Sequence, residues 1–338
     1  MKALLYSDWN RLELADLPEP VAGAGEVVVR VAACGICGSE LETFAGRSPR
    51  RTPPLVMGHE FCGSIESGES DHFATGSRVV CNAIVHCGTC VNCRNGQTQL
   101  CLTRQVFGMH RPGAFAELVA APASCLMQWP DDLPAAWASL AEPLGNGVHV
   151  AERVKHREPE SMLIIGAGPI GLMVLQAVRA MLNIPVAVVD VAPERLKAAT
   201  SVGAEAALLS SKENLARLAD ELTGGMGFDA VVDAAGTGVT KSMSIEACRD
   251  EGLIVWIGLG ADDMPLSTYP VTLREKTITG SYGATDKDME RALALMADGS
   301  VDVGSWVTTY SLEDSADAFL RQLDPMRRDI KAVITIET

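Results

Sequence analysis

Residues 85–101 read VHCGTCVNCRNGQTQLC, and four of the chain's ten cysteines stand there: Cys87, Cys90, Cys93 and Cys101, spaced C-x2-C-x2-C-x7-C. Close-spaced cysteines in a reducing compartment point to metal rather than to disulfides. Four thiolates close a tetrahedral shell around Zn²⁺ and leave no position for substrate, so this cluster is expected to brace a loop and not to do chemistry. A sparser set is the catalytic candidate. Cys37 stands in CGICGSE and His59-Glu60 in MGHEFCG. A thiolate, an imidazole and a nearby carboxylate suit an open zinc site, and the flanking glycines predict tight loops that present these side chains. A lone cysteine or a lone histidine is more often a core residue. Cys34 and Cys37 also form a C-x-x-C, but a redox pair of that kind opens a helix in a different fold context. Cys62, Cys81, Cys125 and Cys248 read as small buried apolar residues.

A second chemical signal lies further on. Gly166-Ala167-Gly168-Pro169-Ile170-Gly171 matches G-x-G-x-x-G, directly after the apolar run MLII and at the start of a helical pattern. That context is what a dinucleotide fingerprint requires. Gly166 permits the tight turn, Gly168 lets backbone approach a pyrophosphate, and Gly171 lets helix pack on strand. The following helix N-terminus, with Pro169 and Ile170, supplies unpaired N–H groups for phosphate. The next strand ends at Asp190, at the spacing of a ribose-binding acid. A carboxylate there bonds both ribose hydroxyls and repels a 2′-phosphate, which favours NAD over NADP. Arg195, one helical turn on, is a phosphate contact or, more simply, an exposed helix arginine.

These sites need elements to hold them. The chain has 338 residues, enough for two full cores, with 47% apolar and 21% charged residues. The early part is β-rich: GEVVVRVAAC and SRVVCNAIV read as strands between Gly- and Pro-rich segments. From about residue 145 the pattern alternates strands and helices: MLII, a helix from PIGL, VAVVD, a helix closing on Gly203, FDAVVDAAG, and EGLIVWIGLG after a further helix. That rhythm predicts a doubly wound parallel sheet. TITGSYGAT follows as a last strand, DMERALALMADG and LEDSADAFLRQL as helices, and KAVITIE as a strand returning to the first domain.

The formal net charge of −15 argues against nucleic acid or an anionic membrane surface as partner. The basic run Arg47-Ser48-Pro49-Arg50-Arg51 reads as a solvated loop. The N-terminus lacks a signal-peptide core and no apolar stretch is long enough to span a bilayer, so the cytoplasm is the expected compartment.

Together CGICGSE, MGHEFCG, the cysteine cluster, AEPLGNGVHV, GAGPIGL with VVD, and TLREKTITGSYG resemble the zinc-dependent medium-chain dehydrogenase/reductase family from end to end. The resemblance implies a GroES-like catalytic domain, residues 1–145 and 286–338, with a Rossmann domain inserted as residues 146–285. Catalytic zinc and nicotinamide are implied in the cleft between them. Cys37, His59 and Glu60 match the catalytic zinc positions, and the four clustered cysteines match the structural zinc. Glu142, in AEPL, falls where many alcohol dehydrogenases carry cysteine and polyol dehydrogenases carry glutamate, which turns the expected substrate towards hydroxyl-rich compounds. Ser39 matches the proton-relay hydroxyl. Members often carry histidine three residues later, where this chain has Glu42, which either replaces it or faces solvent.

Other positions carry two readings each. Phe107, His110 and Arg111 overlook the cleft or pack their own loop. Arg274 and Glu275 match a pair near substrate in polyol enzymes or form an interdomain ion pair. Asn146 and His149 read as supports of the interdomain helix.

The implied reaction is reversible oxidation of a secondary alcohol to a ketone with hydride transfer to NAD, by a homodimer or homotetramer with two zinc ions per chain. PLGNGVH and HRPGAFAE also resemble the L-threonine 3-dehydrogenase branch, the alternative activity. A non-catalytic protein that binds zinc and NADH is the alternative of another class.

Overall fold

The computed structural model describes residues 1–324 and 329–336. The chain divides into two compact units, Met1–Glu142 with Ala284–Asp298 and Val303–Thr338, and Pro143–Gly283 with Gly299–Asp302.

The second unit is built on a six-stranded sheet. In spatial order its strands are Ala206–Leu209, Val186–Asp190, Met162–Ile165, Phe228–Asp233, Cys248–Trp256 and Thr277–Gly280, and every neighbouring pair is parallel. Met162–Ile165 and Val186–Asp190 are buried along their whole length. Helices on both faces explain why these strands read as continuous apolar runs rather than as alternating ones. The chain order reverses between Met162–Ile165 and Phe228–Asp233, and such a switch point opens a crevice at the carboxyl ends of the strands. The glycine turn after Ile165 lies at that point. The short segment Gly299–Asp302 clusters here because the Asp302 amide donates to Gln176 Oε1 at 2.7 Å.

The first unit centres on a seven-stranded, mostly antiparallel sheet. Its path runs Leu126–Gln128, Arg78–Cys81, Glu60–Gly68, Glu26–Gly35, Lys331–Thr335 and Val307–Ser311, with Leu118–Pro122 also paired to Glu26–Gly35. The C-terminal strand thus lies antiparallel beside Glu26–Gly35, in the expected KAVITIE segment, of which Glu337 falls outside the described residues. A smaller sheet joins Arg11–Asp16, Lys2–Asp8 and Leu55–Val56. The core includes Phe44, Phe115 and Phe319, whose rings meet edge to face with centroids 5.9 and 5.6 Å apart.

The single strand expected over 77–85 is two, Arg78–Cys81 and Ile84–Val85. Asn82 breaks it: its side-chain Oδ1 accepts the Ile84 amide at 3.0 Å, and its own amide turns to Cys125 O. A local side-chain bond replaces the ladder there. The second short strand pairs with Gln105–Val106 and leads into the cysteine loop.

Candidate active site

Two neighbouring strand ends bring Cys37 and Glu60 together. Strand Glu26–Gly35 ends, and strand Glu60–Gly68 begins, at the register pair Gly35–Glu60. Cys37 then caps the helix Gly38–Phe44. His59 reaches the same place because Gly58 turns the chain at φ +102, where a Cβ would stand 2.7 Å from the Phe115 amide nitrogen and 2.8 Å from Cys34 Sγ. Only glycine suits both constraints.

The result is a compact donor group. One ligand atom each from Cys37, His59 and Glu60 lies within 4.8 Å of the other two. His59 and Glu60 are buried and Cys37 is half-buried. A soft, a borderline and a hard donor in one buried spot fit an open zinc site. His59 Nδ1 lies 2.9 Å from Glu40 Oε1, which leaves Nε2 as the nitrogen free for a metal.

Glu40 is the hub beneath the group. Oε1 also accepts the Gly58 amide at 2.8 Å, and Oε2 accepts the Cys37 amide at 3.0 Å. Burial opposes its ionisation, but His59, Arg51 and the Cys37 amide together hold its carboxyl down at about 2. On the other side Lys331, 2% exposed, forms an ion pair with Glu60 and donates to Ile36 O at 2.8 Å. Burial alone would lower the Lys331 pKa; Glu60 and Cys37 raise it, so the ammonium is kept. Glu60 is therefore shared between a cation and the donor group.

Glu142 opens the helix Ala141–Lys155 and is buried, but it is not among the donor atoms lying within 4.8 Å of one another. The Ser39 hydroxyl donates to Cys37 Sγ at 3.4 Å. Arg47 bonds both carboxylate oxygens of Glu42, at 2.7 and 2.9 Å, in an ion pair at the surface.

Arg51 corrects the sequence expectation of a solvated basic run: it is 1% exposed. The loop position that reads as basic surface is turned inward at its last residue, where backbone carbonyls and Ser39 satisfy the guanidinium.

The four clustered cysteines also come together. Cys87 Sγ lies 4.0 Å from Cys93 Sγ and 3.5 Å from Cys101 Sγ, and Cys90 Sγ lies 3.5 Å from Cys93 Sγ. Zinc–sulfur bonds of about 2.3 Å place tetrahedral sulfurs about 3.8 Å apart, so this spacing fits a four-thiolate zinc site. Backbone amides are already aimed at the sulfur of Cys87: bonds from Thr89 and Cys90 bring its thiol down to about 5, where it is mostly thiolate at neutral pH. Below this loop the apolar cluster is only Ala83, Ile84 and Val106, with Met109 packed against it. Cys62, Cys81, Cys125 and Cys248 are buried elsewhere, and burial pushes their thiols up, Cys125 to about 12.

In the second unit the glycine turn has the form a dinucleotide needs. Gly166 adopts φ +103; a Cβ on Gly171 would collide with the Gly166 carbonyl, and Gly168 faces open space. Pro169 and Ile170 begin the helix Pro169–Leu182. Asp190 is 6% exposed, and its carboxylate accepts the Ala167 amide at 2.7 Å and the Ala192 amide at 2.8 Å. Each oxygen keeps a further lone pair for a ribose hydroxyl. Arg195 leans on Asp190, with Nη1 3.7 Å from Oδ2.

Several substrate-side candidates are used otherwise. Phe107 is fully buried against Phe61, ring centroids 5.3 Å apart. Arg111 lies over Phe107 and pairs with Glu26 at 2.6 Å, and His110 Nδ1 accepts the Val106 amide at 3.0 Å. The loop packs on itself. Arg274 pairs with Asp250 at 3.0 Å inside the second unit and not with Glu275. The residues that sequence reasoning missed are Glu40, Arg51 and Lys331. Glu40 carried one signal, a carboxylate three residues after the cysteine that caps its helix.

Comparison with known proteins agrees with this geometry. Residues 23–131 match the alcohol dehydrogenase GroES-like domain, and residues 169–298 match the zinc-binding dehydrogenase domain. The chain is 36% identical to an L-threonine 3-dehydrogenase of Streptomyces coelicolor over 94% of this chain and 95% of that protein. It is 32% identical to a D-arabitol-phosphate dehydrogenase of Enterococcus avium over 96% and 94%. An Escherichia coli alcohol dehydrogenase in complex with NADH superposes with a TM-score of 0.90 at 30% identity, over 99% of both chains. With both domain types in order along it and relatives matched from end to end, the chain belongs to the zinc-dependent medium-chain dehydrogenase/reductase family, whose members are alcohol dehydrogenase-type oxidoreductases.

Proposed function

We propose that this chain oxidises a secondary alcohol reversibly to a ketone with NAD as hydride acceptor, and that its substrates are polyols, sugar alcohols or related hydroxyl-rich compounds. The observation that carries this reading is the buried Cys37–His59–Glu60 donor group with the Ser39 hydroxyl beside it, 3.4 Å from Cys37 Sγ. Cys37 and His59 are the firm ligands of a catalytic zinc, with Glu60 and Glu142 as groups that complete its shell or give way to substrate. The cysteine cluster holds a second, structural zinc. Zinc in the first site would polarise the substrate oxygen, and nicotinamide would take the hydride.

The chain's own residues do the rest. Glu40 holds the His59 ring so that Nε2 is the donor. Lys331 offsets the charge of Glu60 and limits its hold on the metal. Ser39 accepts a hydrogen bond from the substrate hydroxyl, and as that proton transfers it passes its own proton on towards solvent. Asp190 bonds the adenosine ribose, and its negative charge disfavours a 2′-phosphate.

The threonine dehydrogenase reading is favoured by the 36% identical Streptomyces coelicolor relative. Against it stands Glu42, locked by Arg47, where that branch carries histidine.

A panel of polyols, cyclitols, sugar acids and threonine, each with NAD and with NADP, separates these readings. Turnover of several polyols with NAD is expected. Turnover of threonine alone would sink the polyol reading, and a preference for NADP would sink that of Asp190. Metal analysis tests the non-catalytic alternative: two zinc ions per chain are expected, with one lost together with turnover in Cys37→Ala.

A further inference from the structure

Ser39 is needed with its hydroxyl pointing in a fixed direction, yet a serine hydroxyl turns freely unless something holds it. Two groups hold it here, Cys37 Sγ, which accepts its proton, and Arg51. Its guanidinium is buried, and among the described residues no carboxylate oxygen lies within 4.0 Å of it. Burying an arginine without a directly paired anion is costly, and every nitrogen is turned to a neutral acceptor. Nε donates to Gly108 O at 2.7 Å. Nη1 donates to Ser39 O at 3.0 Å, with Thr43 Oγ1 at 3.4 Å, and Nη2 donates to Ser39 Oγ at 3.1 Å. Arg51 therefore grips Ser39 at both its carbonyl and its hydroxyl.

We propose that Arg51 is a positioning residue for the alcohol reaction: it sets the direction of the Ser39 hydroxyl and leaves that oxygen one lone pair for substrate. The inference rests on the secondary-alcohol reading above. A serine oxygen has one proton to give and two lone pairs. The proton goes to Cys37 Sγ at 3.4 Å, and Arg51 fills one lone pair at 3.1 Å. The lone pair that remains accepts the hydroxyl hydrogen of an alcohol bound beside Cys37 and His59. Without Arg51 only the bond to Cys37 Sγ holds the hydroxyl, and its acceptor direction is less sharply set. Arg51 makes and breaks no bond; it acts through Ser39. The bond to Oγ also satisfies a buried guanidinium nitrogen, so the test needs a readout that a purely structural brace would leave unmoved.

The test compares the wild type with Arg51→Met, Arg51→Lys, Thr43→Val and Ser39→Ala. In turnover with a secondary alcohol, Arg51→Met is expected to lower kcat about tenfold with KM within about twofold, since the lost contact matters after binding. Arg51→Lys, whose ammonium keeps a charged donor but not the fork that serves both Ser39 oxygens, is expected to fall between Arg51→Met and wild type. Thr43→Val removes another Arg51 contact and is expected to leave kcat unchanged. If Arg51→Met does not fold, judged by melting and by zinc in the cysteine cluster, Arg51→Gln replaces it. The amide serves a carbonyl but is too short to reach Ser39 Oγ.

A second readout needs no substrate. With cobalt(II) in place of zinc, a hydrogen bond to Cys37 Sγ shifts the sulfur-to-cobalt charge-transfer band. Ser39→Ala is expected to move that band to longer wavelength, Arg51→Met to move it the same way by less, and Arg51→Lys to restore it in part. An unmoved band in Arg51→Met, an unmoved band in Ser39→Ala, or a kcat for Arg51→Met within twofold of wild type would each overturn the proposal. If the wild type oxidises no secondary alcohol, the functional reading fails, and the cobalt spectra still decide whether Arg51 orients Ser39.

Discussion

The two cysteine-bearing clusters of the first unit solve the same problem in opposite ways. Cys87, Cys90, Cys93 and Cys101 come from one short, locally folded loop, with Cys87 exposed, and backbone amides and the hydroxyls of Thr89 and Thr103 supply their nearest polar contacts. Cys37 and the adjacent His59 and Glu60 come from two separate segments, and three buried charged side chains, Glu40, Arg51 and Lys331, surround them. Four like ligands from one local loop need little from the rest of the protein. A mixed donor set in the interior brings charges with it, and each needs a buried partner, because an uncompensated charge in a low-dielectric interior is expensive. A site that must keep room for substrate cannot saturate its own ligands, so the surrounding protein has to hold them in place.

Removing one cysteine from the four-cysteine cluster is expected to have the largest effect on the fold. The loop has almost no apolar core of its own, so the metal is its cross-link. Cys93→Ser should lose one zinc per chain and with it the folding free energy that metal binding supplies to the loop, and open residues 86–104 to protease. Cys37→Ala should lose the other zinc and all turnover while the loop stays protected. Metal analysis with limited proteolysis checks both, and matching digestion patterns in the two variants would erase the contrast.

Glu40 comes next. Glu40→Ala leaves the Cys37 and Gly58 amides and His59 Nδ1 without their acceptor and Arg51 without its nearby negative charge. A loss of about 3–5 kcal/mol is expected, the usual cost of breaking a buried charge arrangement from one side. Urea unfolding measures it. Glu40→Gln, which can still accept, should lose less.

What could be read in the sequence follows the same division. The four cysteines and the glycines from Gly166 to Gly171 are legible because their chemistry lies in local spacing, and Cys37 and His59 because ligand types stand beside turn residues. Lys331 beside Glu60 could not be read, since the two come from opposite ends of the chain and meet only through the pairing of Lys331–Thr335 with Glu26–Gly35. Arg51 was read as surface because its neighbours Arg47 and Arg50 share its charge but not its burial. The edge strand Ala206–Leu209 went unread for a different reason: four partly exposed residues carry neither a buried run nor a clear alternation. The helix Gly38–Phe44 was hidden by its length of only seven residues.

The smallest expected effect sharpens the contrast most. Thr89 Oγ1 donates to Cys87 Sγ at 3.6 Å at an exposed position, so it is the counterpart, in the cysteine cluster, of Glu40 in the buried one. Thr89→Val removes that bond and keeps the shape of the side chain. Water can replace a lost partner at an exposed sulfur, and the amides of Thr89 and Cys90 still point at Cys87. The expected loss is therefore below about 1 kcal/mol, with zinc content unchanged, measured by thermal melting and metal analysis. A loss as large as that of Glu40→Ala would mean that the four-cysteine cluster also depends on its surrounding side chains. The difference between the two metal sites would then lie in their ligands and not in the support around them.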